Sequence, residues 1–135
     1  MLFVFSCNKT DSNSISKIAK KESIISSTDS SNKTNPKVTF VELGSVSCIP
    51  CKMMQPVMEA IEEEFGNQIE VVFHDVWKDP EPGRKYGIKL IPTQIFLDSN
   101  EVEFFRHEGF FPKENIEKLL VEKGLKILKQ VEIKK

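Results

Sequence analysis

Two cysteines stand two residues apart in Ser47-Cys48-Ile49-Pro50-Cys51-Lys52, and a helix-like apolar pattern follows at once. A pair with this spacing can close and reopen a disulfide across the first turn of a helix. Backbone N–H groups and the macrodipole at a helix N-terminus favour a thiolate, so reversible thiol–disulfide exchange is the leading chemistry. The rival is half of a structural zinc site. Zinc there wants four nitrogen or sulfur ligands, and only Cys7, His74 and His107 remain, none at motif spacing. No metal and no cofactor are therefore expected.

The elements that must position this pair follow from patterning. Val38 to Leu43 is a β-branched and aromatic run ending at Gly44 and reads as a buried strand. A helix pattern runs from Cys48 to about Phe65, with Met53, Met54, Val57, Met58, Ile61 and Phe65 at helical spacing and Pro56 set to kink it. Ile69 to Val76 is a second strand, and Pro80 to Tyr86 a short helix closed by Gly87. Ile88 to Thr93 leads into the strand Gln94 to Leu97. Turn residues 98–101 then make a hairpin with Val102 to Arg106. Helix is predicted from about Pro112 to Leu128, with Gly124 a candidate break. Strands joined by a helix favour parallel pairing, while the hairpin adds antiparallel strands. The expectation is an α/β fold, a mixed four-stranded sheet with helices on both faces.

The chain has 135 residues, 19 basic and 20 acidic, with net charge −1, which leaves room for one domain and does not suggest nucleic acid as a partner. Residues 1–7, Met1-Leu2-Phe3-Val4-Phe5-Ser6-Cys7, resemble the end of a bacterial lipoprotein signal, with Cys7 the residue to be lipidated. The apolar run is shorter than the roughly 7–15 residues of a signal and has no basic start. A start codon assigned too late, or a truncated chain, would explain that; the alternative is a short apolar N-terminus with an incidental cysteine. Residues 8–36 are rich in Ser, Asn, Lys, Thr and Asp, too polar to offset chain entropy by burial, and read as a flexible tether. The domain is placed at 37–129, with a basic tail at 130–135.

Over roughly residues 37–123 the chain resembles the thioredoxin family. Cys48-x-x-Cys51 is followed by Lys52 and Pro56; Tyr86-Gly87-Ile88-x-x-Ile91-Pro92-Thr93 matches the segment carrying the family's cis-proline; Gly109 precedes the last helix; and Glu42 lies six residues before Cys48, where the family keeps a buried aspartate. The wording Cys-Ile-Pro-Cys-Lys-Met-Met, with Asp75-Val76-Trp77-Lys78 and Phe105-Arg106-His107-Glu108-Gly109-Phe110, is similar to small bacterial thioredoxins that accompany cytochrome c biogenesis-type membrane thiol reductases. Ser47 stands where a tryptophan is usual, Ile49-Pro50 replaces Gly-Pro, and Phe73 stands where a lysine often accompanies the buried carboxylate.

The resemblance implies a thioredoxin-like fold and a thiol–disulfide oxidoreductase. Cys48 would attack a partner disulfide and Cys51 would resolve the mixed disulfide. Glu42 alternates in a strand with apolar neighbours, so its carboxyl is expected to point into the core near Cys51 and take the Cys51 proton through water; a strand-end glutamate reaching solvent is the alternative. Ile91 and Pro92 would receive an extended substrate strand. Trp77 either lines that surface or covers the core edge. The expected role is reduction of disulfides in exported proteins, with apocytochromes as candidates, by a monomer that is lipid-anchored outside the cytoplasm. A membrane thiol reductase would supply the electrons. A disulfide-forming oxidase, a non-catalytic binding module and a cytoplasmic location are the alternatives.

Overall fold

A computed structural model describes residues 35–130; Cys7, most of the 8–36 segment and nearly all of the basic tail lie outside them. Strand β1 (Val38–Gly44) leads to helix α1 (Ile49–Phe65). A short 3-10 turn connects α1 to β2 (Ile69–Asp75), which is followed by the short helix α2 (Glu81–Tyr86). Strands β3 (Thr93–Asp98) and β4 (Glu103–Glu108) form the hairpin, and α3 (Lys113–Glu122) closes the order. The sheet runs β2-β1-β3-β4. β1 pairs parallel with β2 and antiparallel with β3, and β3 pairs antiparallel with β4.

Central β1 is buried on both faces, which is why it reads as a nearly continuous apolar run. Phe40 and Phe96 stack on one face with centroids 4.6 Å apart. They pack with Met54, Ile61 and Phe65 of α1 and Ile116 and Leu120 of α3. On the other face Val41, Leu43, Ile95 and Leu97 meet Val76, Tyr86 and Ile88 around α2. Fully burying each such side chain contributes about 1.5–3 kcal/mol.

The last helix is shorter than its pattern predicts. It ends at Glu122, with Gly124 at a φ of 88°, instead of continuing to Leu128. A left-handed glycine turns the chain back, and Leu125 becomes buried. Residues 125–129 form a strap against the end of α1. Gln68 bonds both the carbonyl and the N–H of Lys126, and the Leu128 N–H donates to the Glu64 carbonyl at 2.7 Å. Leu125 of the strap joins Ile116 and Leu120 of the helix in the same core, while Ile127 stays partly exposed, so its apolar spacing does not mark a continued helix face.

Candidate active site

Cys48 is the N-cap of α1, with extended backbone, and its Sγ accepts the Cys51 N–H at 3.3 Å. Ile49 and Pro50 occupy the first two helical positions, where the proline's missing N–H costs no intrahelical bond. The sulfur that begins the helix thus takes the role usually played by a Ser or Asp oxygen. The two cysteines are joined by a disulfide with Cα atoms 5.2 Å apart. Cys48 retains 8% exposure and Cys51 none, so only the first cysteine of the pair keeps any contact with solvent.

Cys51 lies against the end of β1. A Cβ placed on Gly44 would come within 3.1 Å of the Cys51 Cβ and 3.2 Å of its Sγ. Glu42 is two residues earlier on the same face of the strand, so its side chain starts about 7 Å from that contact. Its carboxyl is fully buried, and burial pushes its pKa from 4.5 up to about 8, with Gln94 countering part of that rise. Neither carboxyl oxygen has a full hydrogen bond to a protein group. The carboxyl therefore points into the core, as strand alternation predicts.

The register brings three further segments to this end of the sheet. Thr93 pairs with Leu43, which sets Ile91 and Pro92 beside the loop entering α1. The Ile91–Pro92 peptide is cis, and the Pro92 carbonyl accepts the Gly109 N–H at 2.7 Å. Ile91 is half-buried and Pro92 buried. Gly44 pairs with Asp75, and Trp77 follows the β2 exit at this end of the sheet, 64% exposed. Asp75 ties these loops together. Its Oδ2 accepts the Val46 N–H at 3.3 Å, and its Oδ1 accepts those of Trp77 and Lys78 at 3.2 and 3.3 Å. Slight burial works against its charge, but these bonds and one from the Ser45 side chain hold its pKa below the usual value.

His107 stacks on Phe111 and contacts the Phe110 carbonyl, while Lys52 is exposed on α1. Met54 and Met58 are core residues and Met53 is exposed. Among the described residues no three His, Cys, Asp or Glu side chains converge as a metal site would require. None of the described helices is long and apolar enough to cross a membrane. Sequence reasoning assigned no role to Asp75 or Gln94. An aspartate ending a strand before Val-Trp-Lys is a local sign of an Asx-type turn, whereas Gln94 becomes visible only through the β1–β3 register.

A capped, half-hidden dithiol over a buried carboxyl, beside a cis-proline loop, defines a thioredoxin-type redox site. The thioredoxin family model matches residues 27–122. The chain is 35% identical over 99 residues to thioredoxin of Bacillus subtilis, covering 72% of this chain and 94% of that protein. It is 32% identical over 97 residues to thioredoxin of Staphylococcus aureus, covering 71% and 91%. The structure of a thioredoxin variant from Halobacterium salinarum superposes with a TM-score of 0.60 at 21% identity, covering 67% of this chain and 78% of that one, which bears on the fold alone. The chain belongs to the thioredoxin family and is a thiol–disulfide oxidoreductase.

Proposed function

We propose that this protein reduces disulfides in exported proteins, tethered outside the cytoplasm by a lipid on Cys7 and supplied with electrons by a membrane thiol reductase. The chemistry rests on one observation: Cys48 caps α1 and keeps a small exposure, while Cys51 has none. In the reduced protein the Cys48 thiolate attacks a substrate disulfide, joining one substrate sulfur and releasing the other as a thiolate. Glu42 is mostly protonated at neutral pH, so the next step draws on its ionised fraction, which grows as pH rises toward about 8: that carboxylate takes the Cys51 proton through water, and the Cys51 thiolate attacks Cys48. The second substrate sulfur leaves and the Cys48–Cys51 disulfide forms. A carboxyl that titrates near 8 is well matched to a thiol whose ordinary value is about 8.5.

The Ile91 backbone and Pro92 receive an extended substrate segment, and Trp77 supplies apolar contact. The exposed side chains Val46, Leu90 and Phe110 stand on the loops of the same rim, and exposed Ile49 on the first turn of α1. Anchoring and export rest on the Met1 to Cys7 pattern and the polar stretch behind it.

Separate Cys48→Ser and Cys51→Ser variants test the mechanism. The first should lose disulfide reduction, and the second should trap mixed disulfides whose partners mass spectrometry can name. Reduction that persists in Cys48→Ser rules the mechanism out. Equilibration with glutathione of known potential decides between reductase and oxidase, since about 30 mV corresponds to 1.4 kcal/mol. Membrane fractionation of the protein with its upstream codons, against Cys7→Ser, tests the anchor: an unmodified Cys7 removes it.

A further inference from the structure

Glu42 and Gln94 are direct register partners across the antiparallel β1–β3 ladder, so their side chains leave the same face of the sheet side by side. Both are fully buried. Their four polar atoms, Glu42 Oε1 and Oε2 and Gln94 Nε2 and Oε1, are enclosed without a full hydrogen bond to any protein group. Orphaning one such atom costs about 1–3 kcal/mol, so a glutamine at the centre of a core otherwise built from Phe40, Phe96 and Met54 needs a reason.

Among the described residues, the strand neighbours offer neither side chain another partner. Phe73 of β2 flanks Glu42 in the row, and His107 of β4 flanks Gln94, its Nε2 directed at the Phe110 carbonyl. On α1, Cys51 is held in the disulfide, while Glu64 further along that helix is engaged by Lys113 of α3. Asp75, on the same face of β2, is taken by the Val46, Trp77 and Lys78 N–H groups.

We propose that Gln94 is a positioning residue for Glu42, its buried amide pairing with the carboxyl in both protonation states. An amide carries a donor and an acceptor on one rigid plane, so a single neutral side chain can serve both states. Nε2 donates to the carboxylate, and after a small rotation Oε1 accepts from the protonated acid. Glu42 can then accept the Cys51 proton without either state being stranded in the core. This rests on the reading of Glu42 as the proton acceptor.

Carbon-13 NMR of glutamate carboxyls in the reduced full chain, assigned with Glu42→Gln, tests it. The bond to the charged form is the stronger of the two. Near-isosteric Gln94→Met should therefore raise the Glu42 midpoint by about one pH unit, and shift the corresponding limb of the reduction rate profile with it. In the unmutated protein the Gln94 side-chain nitrogen-15 signal should titrate at the Glu42 midpoint and stop doing so in Glu42→Gln, a readout that survives even if Gln94→Met folds poorly. An impaired Glu42→Gln combined with a Gln94 signal that ignores the Glu42 titration overturns the Gln94 inference alone. Rates in Glu42→Gln that match the unmutated protein overturn the reading beneath it, and with it the catalytic meaning of the pair.

Discussion

At the scale of single residues, the site depends on one sulfur being reachable and one carboxyl being buried. An ionised carboxylate without strong partners is costly in a protein interior, so Glu42 holds its proton across a wide pH range. That burial has a stability consequence with a definite sign. The folded protein binds this proton more tightly than the unfolded chain, so the contribution is complete below pH 4.5 and is lost as pH rises toward and through about 8. The full swing is on the order of 4 to 5 kcal/mol. Denaturant unfolding of the oxidised protein from pH 5 to 9 should show stability falling, and Glu42→Leu should flatten that fall. Parallel pH profiles for the two proteins would mean that Glu42 does not carry the burial penalty assigned to it.

At the scale of elements, α1 is set at both ends by residues that are not part of its own pattern. Its start is organised by Cys48, and its end is held by the strap from Gly124 to Lys129. Leu125 fills the core after the helix has stopped, and Gln68 bonds the Lys126 backbone on both sides. Leu125→Ala should cost about 2–4 kcal/mol in chemical denaturation, as for other buried leucines. Ile127→Ala, at a partly exposed position, should cost much less. Equal losses at the two positions would restore the longer helix that the apolar spacing suggests.

At the scale of the whole molecule, the rim around the dithiol is assembled from four loops at one edge of the sheet, and Asp75 bonds two of them together. Asp75→Ala should speed amide exchange at Val46 and Trp77 and slow disulfide reduction, while exchange in the Phe40–Phe96 core stays protected. Unchanged exchange at Val46 would show that the loop holds itself. Much of this molecule was legible in its letters. The cysteine spacing, Pro50 in the first turn, the alternation that buries Glu42 and the order of elements are all local patterns. The strap, the Asp75 clamp and the Glu42–Gln94 pair were not legible, because each joins residues distant in the chain through a register or a turn that no local pattern encodes. The sequence by itself determined the chemistry available, a dithiol at a helix start, since spacing and backbone dihedrals act over a few residues. Only the tertiary structure decided which sulfur faces solvent and which residue stands beside the buried carboxyl, because burial and cross-strand partnership exist only once the sheet has closed over its core.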